Sequence, residues 1–171
     1  ADGVNNKLNI SKLSESLNIK EDWTAIFASQ KYYYDIFALR ILGYIENNYI
    51  EKIKEDINNK QKLPPKKIIE ENLTKFLFFL NKFSERFIKV KSAFGGCGIY
   101  KLNRIIEFNY DSYNGKECEH VSLNSELYSK YGNMFIDKNL INSSGINKHT
   151  INSILCSKFN FFANKFIKKI S

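Results

Sequence analysis

Between residues 66 and 90 the chain carries an apolar seam with the spacing of an α-helix. Its apolar positions alternate between four and three residues apart: Ile69, Leu73, Phe76, Leu80, Phe83 and Phe87. This spacing places the side chains on one helix face, which needs a second apolar surface to cover it. Pro64-Pro65 directly precedes the run and can open a helix, because proline is tolerated in the first turn. The pattern therefore predicts a helix over residues 66–90 that packs into a core or against a partner.

A second helical pattern lies before the prolines. Apolar residues recur there at four-residue steps and form one helix face: Ile41, Ile45, Tyr49, Ile53 and Ile57. The run ends in the polar stretch "NNKQK". We therefore predict a helix over residues 35–58.

Shorter apolar stretches predict strands between these helices and after them. They are "EDWTAIFAS" (21–29), the glycine-rich "KSAFGGCGIYKL" (91–102) and "GNMFIDKNLI" (132–141). We predict that residues 23–29, 93–100 and 133–137 share one mixed sheet, with a further helix near 120–131 and a terminal amphipathic helix in "SKFNFFANKFIKKI". This order of elements indicates a single domain of the α/β or α+β class.

The composition limits the partners and the compartment. The 171 residues carry a net charge of +8, with 23 Lys against 3 Arg. Phosphate and base recognition depends on Arg, and the Lys are scattered, so we expect no nucleic-acid partner. The cysteines (Cys97, Cys118 and Cys156) are odd in number and have no C-x-x-C spacing, which indicates a reducing compartment. No apolar run approaches the roughly 20 residues of a membrane span, and the opening "ADGVNNKLNISKL" lacks the pattern of a signal peptide. We expect a cytoplasmic protein.

Four stretches together resemble a known family. They are "ADGVN" (1–5), "DWTAIFASQKYYYDIFALR" (22–40), "SAFGGCGIYK" (92–101) and "CEHVSLNSEL" (118–127). In this order and spacing they resemble GT-A-fold glycosyltransferases related to the family 2 enzymes. The resemblance implies an incomplete GT-A-like mixed sheet flanked by long amphipathic helices. Residues 1–171 would form the acceptor-side and C-terminal part of the catalytic domain, starting inside the Asp-x-Asp motif.

The resemblance also implies an activity. Such an enzyme moves a sugar from a nucleotide-sugar donor to a hydroxyl acceptor with Mn²⁺ or Mg²⁺, which stabilises the leaving diphosphate. Asp2 matches the second Asp of the metal motif and would contact the metal or a ribose; otherwise it is a terminal residue without that role. Because the first Asp and the nucleotide-binding half would be missing, we expect the 171 residues alone to fold marginally and to be inactive.

Further site residues follow from the same resemblance. Asp35 and Arg40 would line the donor and acceptor cleft, although a helix cap and a surface ion pair explain them nearly as well. Gly95 and Gly96 would bring the backbone close to sugar or acceptor, since no Cβ intervenes; the alternative is a β-bulge. A late metal ligand could come from His149.

The stretch "CEHV" supplies the candidates for the general base. Glu119 is the preferred base for the acceptor hydroxyl, and His120 is an alternative base or a metal contact. Without the resemblance, Glu119 is simply an acidic residue in the first turn of a helix. Cys118 is interpreted as a small packing residue rather than a reactive thiol, and Trp23 as a core residue rather than a platform for a sugar ring.

The sequence also allows two other functions. The aromatic residues over 35–90 could form the partner surface of a non-catalytic α-helical interaction module. A basic nucleic-acid binder is the third alternative.

Overall fold

The structure is a computed structural model that describes residues 8–31, 33, 35–60, 63–108 and 117–143. Its elements in chain order are α1 (Ile10–Leu17), β1 (Ala25–Gln30), α2 (Tyr49–Asn59), α3 (Pro65–Leu77), a 3₁₀ turn (Phe79–Lys82), β2 (Phe87–Val90), β3 (Gly98–Tyr100), α4 (Leu102–Ile105), α5 (Glu119–Tyr131) and β4 (Met134–Ser143). The predicted terminal helix in 157–170 lies outside the described residues, as do Asp2 and His149.

The strands form one four-stranded mixed sheet in the order β2-β4-β1-β3. β1 runs parallel to β4 and antiparallel to β3, and β2 runs antiparallel to β4. The three predicted segments therefore share one mixed sheet, although only Gly98–Tyr100 of the segment 93–100 is a strand, and the mixed α/β class is confirmed. The helix predicted near 120–131 is α5.

The core lies on the sheet face that carries Ala25 and Phe27. Buried side chains from the sheet and from three helices meet there, among them Ile53, Leu73, Phe76, Leu123, Leu127, Met134 and Ile136. β1 is buried along its whole length, which explains why residues 25–28 are apolar without alternation. On the other face α1 packs against β4, where Ser16 Oγ donates to Asp137 Oδ2 at 2.7 Å.

The single helix predicted over 35–58 is wrong. Only Tyr49–Asn59 is helical, and Ile41 and Ile45 pair across a tight turn as an antiparallel bridge. Gly43 turns the chain with φ +75°, a conformation that a helix interior does not allow. Ile41 and Ile45 are both buried, so their four-residue spacing arises from a turn that folds back onto the core.

The helix predicted over 66–90 is also wrong beyond its first half. α3 ends at Leu77, after which come the 3₁₀ turn and β2. Residues Phe87–Val90 extend to pair with Met134–Asp137 of β4, and the ladder bonds replace those of a helix. The expected long amphipathic helices are therefore short, with 11 residues in α2 and 13 in α3.

The apolar residues after α3 are covered without a helix. Tyr44 packs edge-on against Phe79 and Phe83, with ring centroids 6.1 and 5.1 Å away. This aromatic cluster buries Phe79 beneath the 41–45 turn.

Among the described residues, no helix is both long enough and apolar enough to cross a membrane.

Candidate functional site

The candidate site lies where the parallel strands β1 and β4 end. Ligands of open α/β sheets bind beyond the carboxyl ends of such strands. The loop before β3 reaches this edge, since the Ala28 N–H donates to the Cys97 carbonyl at 2.9 Å. Two buried amides hold the loop by donating to the Gly95 carbonyl, Gln30 Nε2 at 2.8 Å and Asn142 Nδ2 at 2.6 Å.

Gly95 needs to be glycine because of its contact with β1. Its φ is +59°, and a Cβ at this position would lie 2.4 Å from the carbonyl oxygen of Ala28. The side that lacks a Cβ therefore faces the β1 backbone, where the sequence interpretation expected a ligand. Gly96 also has a positive φ, +86°, and its contact with a sugar stays a prediction.

Asp35 joins the segment after β1 to this loop. Its Oδ2 accepts from the Gly95 N–H at 3.1 Å, and its Oδ1 accepts from the Ala38 N–H at 3.3 Å. Burial raises the pKa of the Asp35 carboxyl. The N–H groups of Gly95, Ala38 and Phe94 and the charge of His120 pull that pKa in the opposite direction without cancelling the effect of burial.

His120 lies against the same loop from the α5 side. Its ring stacks on Phe94, with the ring centroids 3.9 Å apart and the planes 14° apart. Its Nε2 lies 3.8 Å from Glu119 Oε1. The Glu119 side chain is 52% exposed and that of His120 only 18%. Glu119 can therefore be reached from solvent, while His120 is largely covered.

Cys118 precedes this pair as the N-cap residue of α5. Burial raises the pKa of its thiol to about 11, and the carboxylates of Asp35 and Glu119 add to the rise. A thiol with this pKa is protonated at neutral pH, so it is a poor nucleophile. This agrees with the interpretation of Cys118 as a packing residue.

Arg40 lies beside the site but is 3% exposed. Its guanidinium donates to the carbonyls of Phe37 and Leu39, both at 2.9 Å, and lies 3.5 Å from Glu117 Oε1. Arg40 therefore ties the segment after β1 to the residue that leads into α5. The substrate-binding role implied by the resemblance stays a prediction.

Asn124, on α5, also connects this helix to the residues on either side of the loop. It accepts from Tyr100 Oη at 2.9 Å and donates to Ser92 Oγ at 3.1 Å and to the Ala93 carbonyl at 2.9 Å. Sequence reasoning did not identify Asn124, Gln30, Asn142 or Phe94. The available signal was weak: Gln30 directly follows the predicted strand 23–29, and Asn124 lies beside the apolar Leu123.

Trp23 lies at the other end of β1, away from the candidate site. Trp23 precedes β1 and is half-buried, with Lys101 Nζ 5.1 Å from its ring, so its predicted core position is reached only in part. Within the described ranges, His, Cys, Asp and Glu form no group of three suited to a metal ion. Because Asp2 and His149 lie outside these ranges, a site for Mn²⁺ or Mg²⁺ stays a prediction.

No protein-family model, curated protein or solved structure matches this chain. What the site can do is therefore inferred from its own chemistry. A half-buried carboxyl with a raised pKa, an imidazole and an exposed carboxylate come together at one edge of the sheet. Carboxylates and imidazoles are the side chains that act most often as acids and bases in enzymes, so their clustering marks a candidate site for acid–base chemistry.

Proposed function

We propose that the protein is a GT-A-type glycosyltransferase, which moves a sugar from a nucleotide-sugar donor to a hydroxyl acceptor. One observation carries the proposal. Three motif-bearing segments that lie far apart in the sequence, 35–40, 94–96 and 117–120, meet beyond the carboxyl ends of β1 and β4. Ligands of open α/β sheets bind at this kind of edge. The resemblance of the same segments to the family supplies the reaction.

Glu119 is the proposed general base. It is the first residue of α5 and half-exposed, so an acceptor hydroxyl can approach its carboxylate. The carboxylate takes the hydroxyl proton while the acceptor oxygen bonds to the anomeric carbon, and the bond from that carbon to the diphosphate breaks. Mn²⁺ or Mg²⁺, with Asp2 as its expected ligand, would neutralise the departing diphosphate. His120, beside Glu119, is the alternative base.

A transfer assay on the protein as its gene encodes it tests the proposal. Nucleotide sugars are supplied with Mn²⁺ or Mg²⁺, and release of nucleoside diphosphate is measured. We expect Glu119→Gln to lower kcat by roughly 10²–10⁴-fold, the usual contribution of a general base. KM should change little, because the amide keeps the shape of the side chain. Glu126→Gln, an exposed residue of the same helix, is the matched control.

His120→Ala separates the two candidate bases. If this variant loses turnover while Glu119→Gln retains it, His120 is the base. Full activity of both variants would remove residues 119 and 120 from the chemistry. A wild-type protein that releases no nucleoside diphosphate from any donor would contradict the enzymatic proposal.

A non-catalytic interaction module is the second candidate, and one observation favours it. A groove of about 390 Å³ runs beside β2, which is an edge strand of the described sheet. Leu42 and Tyr44 line it and are largely exposed, and Phe83, Phe87 and Tyr128 complete its apolar wall. Exposed apolar side chains that cluster at a groove are typical of binding surfaces.

A further inference from the structure

We infer that Asp35 is a positioning residue. It holds the loop before β3 and, through Phe94 in that loop, fixes the ring of His120. The inference rests on the proposed function, in which His120 either lies 3.8 Å from the base Glu119 or is itself the base. It differs from the role implied by the family resemblance, in which Asp35 lines the cleft for donor and acceptor.

The hydrogen bonds of Asp35 point into the protein. One carboxylate oxygen accepts from Gly95 and the other from Ala38, so the side chain connects two segments sixty residues apart. A carboxylate whose two oxygens both receive main-chain N–H groups is well suited to fixing a backbone. The Gly95 carbonyl is fixed independently by Gln30 and Asn142. The loop is thus held through both the N–H and the carbonyl of Gly95.

Phe94 couples the position of the loop to the orientation of the His120 ring. The two rings are nearly parallel, and their centroids are 3.9 Å apart, so Phe94 covers one face of the imidazole. Because Phe94 adjoins Gly95, a shift of the loop at Gly95 moves the surface on which His120 rests. A displacement of about 1 Å in a catalytic group can lower the rate of an enzyme by about 10²-fold. Asp35 therefore controls the geometry of His120 without contacting the acceptor.

Steady-state kinetics distinguish positioning from substrate binding. We expect Asp35→Asn to lower kcat by roughly 10²-fold with little change in KM, because an amide cannot accept from both N–H groups in the same arrangement. If Asp35 bound the substrate directly, Asp35→Asn would instead raise KM. Asp22→Asn is the matched control, since Asp22 is bonded to Lys101 and Arg104 ahead of β1.

NMR follows the ring of His120 without any need for activity. The chain has two histidines, and a His149→Gln variant assigns the signals of His120. Stacking on Phe94 should shift the His120 ring protons upfield. We expect this shift to be abolished in Phe94→Leu, kept in Phe94→Tyr, reduced in Asp35→Asn and unchanged in Asp22→Asn.

The two measurements separate the two hypotheses. An unchanged ring shift in Asp35→Asn would overturn the inference, as would a raised KM at constant kcat. If the wild-type protein transfers no sugar, the proposed function fails. The NMR shifts still decide whether Asp35 positions the ring. If Asp35→Asn does not fold, the Phe94→Leu and Phe94→Tyr pair still decides whether ring stacking sustains kcat, and equal kcat in both would overturn the inference.

Discussion

Gly95 is the residue at which most of the candidate site is joined. Its N–H binds Asp35, its carbonyl accepts from Gln30 and Asn142, and its Cα lies against Ala28. The stretch "AFGG" was enough to predict a close backbone approach, because glycine is the residue that permits one. It could not indicate what approaches, since each of these contacts joins Gly95 to a residue distant in the sequence.

Replacing Gly95 with alanine should destabilise the fold by at least about 2 kcal/mol. The added Cβ meets the Ala28 carbonyl at 2.4 Å, and the positive φ costs a further 1–2 kcal/mol or so in an L-residue. Urea unfolding measures the difference. Gly43→Ala is the control, because Gly43 has φ +75° and nothing within 4 Å of its Cβ position. It should lose only the cost of the positive φ, about 1–2 kcal/mol, and equal losses in both variants would contradict the steric explanation.

Asp35, Glu119 and His120 show how far the motifs alone could lead. The family resemblance assigned all three to one site, and the structure brings Asp35 and His120 to one loop, with Glu119 beside His120. The direction in which Asp35 points could not be read from the sequence, because it depends on the backbone N–H groups of residues 38, 94 and 95. Their positions are set by tertiary packing rather than by local pattern.

At the scale of elements, apolar spacing predicted burial better than it predicted conformation. Ile41, Ile45, Tyr49 and Ile53 are all buried, as one helix face would be. A turn of four residues returns the chain to the same surface, however, so it produces the same spacing as one turn of helix. The signals that could have separated them are Gly43, which favours a positive φ, and Asn48, which is a good N-cap residue.

Asn48→Ala tests this assignment directly. Asn48 Oδ1 accepts from the Ile50 N–H at 3.0 Å and caps α2, so its loss should destabilise the protein by about 1 kcal/mol. Inside a continuous helix over 35–58 the same change would instead stabilise it slightly, since alanine has the higher helix propensity. Asn47→Ala, one residue earlier and exposed, should lie within about 0.5 kcal/mol of wild type. Thermal or urea unfolding gives the sign.

β2 illustrates a second limit of periodicity. The spacing from Ile69 to Phe87 continues the helical seam, but Ile88 and Val90 are the buried residues of the strand, with an exposed Lys89 between them. This alternation covers four residues, too few to outweigh a helical pattern of twenty. The strand forms because its backbone pairs with that of β4. This pairing joins residues distant in the sequence and therefore depends on the whole fold.

At the scale of the molecule, an ion pair holds the far side of the sheet. Arg86 Nε and Nη2 donate to the two oxygens of Asp137 at 2.9 and 2.8 Å, and Ser16 donates to the same carboxylate. Burial by itself raises the pKa of Asp137, but the hydrogen bonds from Arg86, Ser16 and Asn139 outweigh burial and leave that pKa below its usual value. Asp137 therefore connects α1, β4 and the segment before β2 as a carboxylate.

Because its pKa is lowered in the folded state, Asp137 should make the protein acid-sensitive. Its contribution is complete above the ordinary pKa of about 3.8 and is lost as pH falls through the lower folded-state pKa. Asp35 acts in the opposite direction. Its pKa is raised by burial, so protonating it favours the folded state as pH falls from neutral toward 3.8.

Asp137→Asn should lower the free energy of unfolding at pH 7 by about 2–3 kcal/mol. The usual cost of breaking a buried ion pair is somewhat larger, but the Arg86 side chain is 34% exposed and water can solvate it after the change. The difference from wild type should shrink as pH falls below 3.8, because the carboxyl of the unfolded chain is protonated there, and it should vanish below the lower folded-state pKa. Urea unfolding from pH 7 to pH 2.5 measures the trend, with Glu15→Gln, an exposed residue of α1, as the control near wild type. A difference that stays constant or grows in acid would mean that Asp137 acts through its shape rather than through its charge.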